Sequence, residues 1–329
     1  MTPSPIEPIA EALIKARRLA ITSHLRPDGD SLCTSLALAL ALEQMGKSVE
    51  IVNADRTPYP FSTFPACARI RIGEIPSRGQ DAVVLLECAN VSRSGMTGID
   101  GDFKINIDHH YSNDQYADLN WVDAEASAVA ELIFELCLRL PVSLTPEMAG
   151  HLYCAIASDT GSFQFSNTTA RAFEVCRRLV QAGAEPLRVS EALYHNNTFE
   201  KILLLGRVLS TLTMAGDGDI AVISMRRATL RELGLAEVDT EDITTLARSI
   251  RNVNVVLFFK EMDEETFRVS IRSRGVAHAA HIAERFQGGG HAHAAGFTVH
   301  GPYDRLIDEI PGRVAAIMRE LAAPPRPDR

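Results

Sequence analysis

The sequence predicts an α/β protein of two domains: a parallel sheet with helices on both faces, then a smaller α/β domain with a mixed sheet, joined by a helical linker. Three observations carry this. The chain has 329 residues, about twice a usual domain length. In its first half, short apolar runs at 19–23, 49–53 and 82–86 alternate with helical patterns, as strands of a covered parallel sheet do. After about residue 212 the texture changes, and two strand patterns flank the polar stretch 261–265, which suits a hairpin. The expected boundaries are 1–185, a linker at 186–212, a second domain at 213–322 and a Pro-rich, disordered tail at 323–329.

The elements follow in order. Residues 5–18 are amphipathic and read as a helix, 19–23 as a strand, 24–30 as a polar turn and 31–45 as a helix. Gly46 ends that helix, as a residue free to take positive φ should. Residues 49–53 are the next strand. The stretch 56–78 holds several prolines and reads as irregular. An unbroken apolar strand at 82–86 precedes a shorter one at 104–107, whose apolar residues are Ile105 and Ile107. Helices are expected at 126–139, 146–157, 169–182 and 187–195, with 199–211 bridging to the second half. There 219–225, 253–260 and 266–274 read as strands and 277–286 as a helix. A glycine run, a strand at 297–299 and a helix at 303–321 close the fold.

Composition narrows the function. The start of the chain has no long apolar run and carries Glu7, Glu11 and Lys15, unlike a signal peptide. No stretch approaches the roughly 18 apolar residues that span a bilayer. Six cysteines are scattered without a C-x-x-C pair, which reads as reduced core residues of a cytoplasmic protein rather than a zinc cluster. The net charge of −9 argues against a duplex nucleic-acid partner, which needs a basic face. A short phosphorylated ligand remains compatible, because metals and a few arginines can supply positive charge locally.

The chemistry gathers where strands meet loops. His24-Leu-Arg-Pro-Asp28-Gly-Asp30 lies between a strand and a helix, where open α/β sheets bind ligands. An Asp-Gly turn with a capping Asp30 is the plainer reading of that segment. The pattern recurs, however. The strand at 83–86 runs into Glu87, the strand at 104–107 into Asp108-His109-His110, and the helix at 146–157 into Ser158-Asp159-Thr160-Gly161. Imidazole and carboxylate ligands without thiolates suit manganese, with magnesium, cobalt or iron as alternatives. The number of ligands exceeds what one ion needs. Two ions sharing a bridging carboxylate clamp the attacking and leaving oxygens of phosphoryl transfer.

His-x-x-Pro-Asp-Gly-Asp-Ser, followed by Asp108-His109-His110 and Asp159-Thr-Gly, resembles the DHH phosphoesterase superfamily over nearly the whole chain. The resemblance implies that His24 and Asp28 hold one ion and that Asp30, His109 and Asp159 hold the other. Glu87 bridges them, Asp108 orients a ligand and His110 faces the substrate phosphate. One position departs from the pattern: most members bridge with aspartate, and here the residue is glutamate, one methylene longer.

A second cluster lies in the C-terminal half. Gly288-Gly289-Gly290-His291 lets backbone approach a phosphate closely, although a flexible loop is the plainer reading. Arg268, Arg272 and Arg274 fall at even spacing on one strand face, with Val269 and Ile271 on the other. Arg272-Ser273-Arg274 together with Gly288–His291 resembles the DHHA1 domain, and implies that these residues bind substrate. The two-domain arrangement resembles the nanoRNase group, the oligoribonuclease and 3′-phosphoadenosine 5′-phosphate phosphatases.

The expected function is therefore manganese-dependent hydrolysis of short oligonucleotides, linear dinucleotides or 3′-phosphoadenosine 5′-phosphate, in a cleft between the domains. The expected partners are short single-stranded nucleic acid or a nucleotide, with no duplex and no membrane; a homodimer is admitted. Two alternatives stand beside this reading. One is an inorganic pyrophosphatase or polyphosphatase on the same metals. The other is a nucleotide-sensing module in which Glu87 has reduced catalysis.

Overall fold

A computed structural model describes residues 5–75, 79–99, 102–236, 238, 240–275, 277–290 and 292–322. The tail 323–329 and His291 lie outside the described residues. The chain forms two compact units, Met1–Asn196 and Asn197–Arg329.

In the first unit, α1 (Ile6–Lys15) leads into β1 (Arg18–Thr22), α2 (Gly29–Gln44) and β2 (Ser48–Asn53). β3 (Ile70–Ile72), β4 (Ala82–Leu86), β5 (Lys104–Asp108) and β6 (Leu119–Val122) complete one sheet, in the order β3-β2-β1-β4-β5-β6. Every ladder in it is parallel. Then come α3 (Val129–Cys137), α4 (Pro146–Asp159), α5 (Ala170–Gln181) and α6 (Pro186–Tyr194).

Successive strand residues point to opposite faces, so each strand divides between two cores. Leu19, Ile21, Val84, Leu86, Ile105 and Ile107 join the core built with α1 to α5. Ala20, Val52, Val83 and Leu85 face a smaller cluster with Ile75, Cys88, Met96 and Ile99. Among the described residues, the long helices thus cover one face. The other is closed by loops and the 3₁₀ turn Val91–Ser94, not by helices as the alternating pattern suggests. The reason is local: the described stretch 90–98 after β4 carries two serines and two glycines, which favour turns over a long helix. α2 is buried on nearly all sides. Each of its leucines at 0% exposure, such as Leu32 and Leu36, contributes about 2–3 kcal/mol of burial.

The stretch 186–212, expected as a linker, is two helices that belong to different units. α6 packs on the first core through Val189 and Leu193. α7 (Phe199–Leu209) buries Leu204 and Val208 against the second sheet. The second unit continues with β7 (Thr213–Ala215), β8 (Ile220–Met225), α8 (Arg227–Glu232), α9 (Glu241–Arg248), β9 (Val255–Asp263) and β10 (Thr266–Ser273). It ends with α10 (Ala279–Glu284), β11 (Gly289–Gly290), β12 (Ala294–His300) and α11 (Tyr303–Ala322). The order is β11-β12-β10-β9-β8-β7, with β8 and β9 parallel and the other pairs antiparallel. The expected β9–β10 hairpin is present. The glycine run is not a loop: Gly289 pairs with Gly296 and Gly290 with Ala295 as a two-residue edge strand. A Cβ on Gly288 would lie 2.3 Å from the Gly296 carbonyl oxygen, so close strand packing already requires glycine there.

Candidate active site

The order of the first sheet reverses between β1 and β4, and the crevice at such a point is where open α/β sheets take ligands. His24 follows β1, Glu87 follows β4 directly and Asp108 closes β5. Asp28 is the N-cap of α2: its Oδ1 accepts from the Ser31 amide at 3.0 Å, and its own amide donates to Ser31 Oγ at 3.0 Å. The capping reading of this turn is therefore true of Asp28, not of Asp30. Its other oxygen, Oδ2, stays 3.5 Å from His24 Nε2. Gly29 lets α4 come close, since a Cβ there would stand 2.2 Å from Ser158 Oγ. That approach draws Asp159, the last residue of α4, toward the α2 start.

The imidazoles reveal what the site holds. His24 Nδ1 lies 2.8 Å from the Leu25 carbonyl, and His109 Nδ1 lies 2.9 Å from the Ala126 carbonyl. A carbonyl only accepts, so in each ring Nδ1 carries a hydrogen and Nε2 of the neutral ring has a bare lone pair. These Nε2 atoms face carboxylates: His24 faces Asp28 at 3.5 Å and Glu87 at 4.0 Å, and His109 faces Glu87 Oε1 at 2.7 Å and Asp159 at 3.9 Å. Glu87 Oε1 is buried without a hydrogen-bond donor. Acceptors turned on acceptors require a cation, either a proton or a metal ion. The donor set fits divalent cations. His24, Asp28 and Glu87 bring ligand atoms within 4.8 Å of one another, as do Glu87, His109 and His110. Glu87 is common to both groups.

The electrostatics agree. Burial, then the carboxylates of Glu87 and Asp159, hold the Asp30 carboxyl well above the usual range. Burial also lifts Asp159, and with Glu87 and Asp28 beside it the carboxyl is pushed to about 7 although His109 opposes the rise. Burial works against a charge on His109, but Glu87 and Asp30 overcome it and raise the ring to about 11. His24 is raised too, since Asp28 outweighs its burial. Without a metal, protons are what the site retains.

Asp30 is 1% exposed and serves two structures. Its oxygens accept from the Val129 and Ala130 amides at 2.6 and 3.2 Å, capping α3, which has no side-chain cap of its own. Glu87, Asp159, His109 and Asp28 lie near enough to act on its charge. Asp108 is fully buried; its Oδ1 accepts from His110 Nδ1 at 2.8 Å and from the His109 amide at 2.8 Å. That bond fixes the His110 ring, leaves Nε2 available and raises the ring's proton affinity.

Polar residues absent from the sequence reading complete the surroundings. Asn113 Nδ2 donates to Asp108 Oδ2 at 2.6 Å. Asn167 Nδ2 donates to the Asp159 carbonyl at 3.1 Å and to Ser127 O at 3.0 Å. Neither follows a spacing rule; their only signal is an asparagine a few residues after a metal motif.

The residues expected to bind substrate lie in the second unit. Arg268 and Arg272 share one face of β10, opposite buried Val269 and Ile271. Ser273 is buried on the other face, with Oγ 3.3 Å from His293 Nδ1. Arg274 follows β10 and donates to the carbonyls of Ile250, at 3.1 Å, and Arg251, so its guanidinium braces a turn. Gly289 has open space where a side chain would stand.

Comparison with known proteins places these features in a wider set. A model of the DHH family, N-terminal domain, matches residues 18–156, and a DHHA1 domain model matches 224–320. The bifunctional oligoribonuclease and PAP phosphatase NrnA of Thermus thermophilus is 34% identical over 296 residues, 88% of each chain. The protein of the same name from Bacillus subtilis is 27% identical over 295 residues, 87% of this chain and 91% of its own. Among solved structures, an exopolyphosphatase-related protein from Bacteroides fragilis shares the fold with a TM-score of 0.86 at 23% identity, covering 97% of this chain and 98% of that one.

Proposed function

The chain belongs to the DHH phosphoesterase family, in its DHHA1-containing nanoRNase group, and from that membership we propose that it is a manganese-dependent hydrolase of short oligonucleotides and of 3′-phosphoadenosine 5′-phosphate. The observation that carries the proposal is Glu87, shared by two potential ligand groups at the strand-order reversal. His24 and Asp28 would hold one cation and Asp30, His109 and Asp159 the other, with Glu87 as the carboxylate available to both. Divalent cations bound there supply Lewis acidity and a water activated at neutral pH. The carboxylates offset the cation charge. Asp108 accepts from His110 Nδ1–H and raises the ring's proton affinity, so that the protonated ring donates from Nε2 to a phosphate oxygen. In the second unit, Arg272 and the glycine strand grip the nucleotide, while Ser273 and Arg274 hold the end of β10 in shape.

Further features support the finer parts of this reading. The six cysteines are buried and free of disulfides, in keeping with a reducing cytoplasm. No described helix is long and apolar enough to cross a membrane. The net charge of −9 favours short substrates over duplexes.

Hydrolysis of a 5′-pNpN dinucleotide, 3′-phosphoadenosine 5′-phosphate and pyrophosphate, each with manganese, tests the proposal. Turnover of either nucleotide exceeding that of pyrophosphate is expected. Intact nucleotide binding with no turnover, or pyrophosphate cleaved fastest, overturns it.

A further inference from the structure

Glu87 adopts φ +56, a left-handed conformation that is costly for a glutamate and persists only where its surroundings enforce it. The enforcement is visible. The Glu87 amide donates to Ile107 O at 3.2 Å. The next carbonyl, Cys88 O, accepts from Tyr116 Oη at 3.0 Å, Asn106 Nδ2 at 3.1 Å and Asn113 Nδ2 at 3.4 Å. Asn106 Nδ2 also reaches Leu85 O at 3.1 Å, so the backbone is tethered on both sides of Glu87.

Asn113 has a second task. The same Nδ2 donates to Asp108 Oδ2 at 2.6 Å and lies 2.8 Å from Asn106 Oδ1. Its Oδ1 accepts from the Gln115 amide at 2.7 Å, which fixes the amide orientation, because only the oxygen can face that N–H. One side chain therefore touches the turn that presents Glu87 and the carboxylate that orients His110. Without it, Asp108 Oδ2 loses its amide donor in a fully buried position.

We infer that Asn113 is a positioning residue that sets Glu87 and the Asp108–His110 pair in register for metal binding, with Tyr116 and Asn106 as its supports. The inference rests on the proposed metal site. Manganese titrations of the full chain, read by thermal unfolding without substrate, test it beside kcat and KM on the dinucleotide. Asn113→Ala is expected to raise the manganese midpoint and lower kcat by about tenfold or more each, as for other residues that orient metal ligands, with KM little changed. Asn113→Asp preserves size but replaces the donor with an acceptor facing Asp108, so its loss is at least as large; a packing role would leave it mild. A folded variant of either kind with the wild-type midpoint and kcat overturns the inference. Should both fail to fold, Tyr116→Phe decides: a few-fold rise in midpoint supports it, and no rise refutes it. A wild-type chain that binds manganese yet hydrolyses neither nucleotide refutes the proposed substrates and leaves this inference standing.

Discussion

Glu87 Oε1 and His109 Nε2 lie 2.7 Å apart while the opposite nitrogen of the same ring faces the Ala126 carbonyl. Two acceptors at that distance repel unless they share a cation: a proton on the ring in the metal-free protein, or the divalent ion that the two residues would hold together. Glu87→Gln keeps the shape and removes the charge. It is expected to weaken manganese binding and kcat by at least about tenfold. Glu87→Asp keeps the charge but withdraws the carboxylate on a backbone already set for glutamate. A smaller loss is expected, and a titration with both variants beside wild type ranks them.

Chelation should soften the protein. Asp30, Glu87 and Asp159 crowd one another in burial, so a bound cation relieves repulsion as well as adding ligand bonds. Metal at a thousand times its dissociation constant stabilises by about 4 kcal/mol. Calorimetry with and without EDTA should show a clear rise in Tm on adding manganese; equal Tm values would speak against the cluster as a cation site.

The metal-free protein should lose stability as pH rises. Asp159 is pushed to about 7 from 3.8. Between those values the folded state keeps a proton that the unfolded chain has released, so stability falls across that window. His109, pushed to about 11 from 6.5, contributes fully below 6.5, and its contribution drains away as pH climbs toward 11. Both groups act in the same direction. Urea unfolding in chelator at several pH values should give a falling curve, and Asp159→Asn should flatten its lower part. Manganese-induced stabilisation should show the opposite trend, because the ion needs deprotonated ligands.

Gly29 allows two elements to meet. A methyl there would stand 2.2 Å from Ser158 Oγ and 2.5 Å from Phe61 Cζ. Gly29→Ala should cost about 1–3 kcal/mol by overpacking and shift Asp28 and Asp30 against Asp159. Combining it with Ser158→Gly should recover part of the loss. Unfolding curves for the single and double variants measure both effects.

The candidate site residues stood out in the sequence because their chemistry and placement coincide: His24, Asp28, Glu87, Asp108 and His109 follow apolar strands whose length and pattern need no partner to be recognised. β3, β6, β7 and β11 could not be read so. They have two to four residues each, and what makes them strands is a neighbour distant in sequence. Gly289 and Gly290 read as a loop because glycine disfavours strands, yet they fit beside β12 for lack of side chains. Asn106, Asn113 and Asn167 stayed hidden for another reason: a neutral amide acts only through the groups it meets, and no spacing rule announces those. The same holds for the helical cover of the first sheet, where alternation indicates buried strands but not what buries each face.

Arg171 carries the last prediction. Its guanidinium meets Asp123 at 2.5 Å, Glu131 at 3.0 Å and Glu135 at 3.0 Å. Glu131 is fully buried, and its other oxygen accepts from the Ser127 amide at 3.1 Å and from Ser127 Oγ. This network holds the segment that offers Ala126 O to His109 and the Val129 amide to Asp30. Arg171→Met strands a buried carboxylate. The loss should be about 3 kcal/mol, the lower end for a broken buried pair, because the Arg171 side chain keeps 33% of its exposure. Manganese affinity should fall with it, since both imidazole and carboxylate lose their backbone partners' register. Adding Glu131→Gln removes the stranded charge and should return much of the stability. If the double variant folds well yet still binds manganese weakly, the network acts on the site through geometry; if affinity returns with stability, it acts by keeping the segment folded.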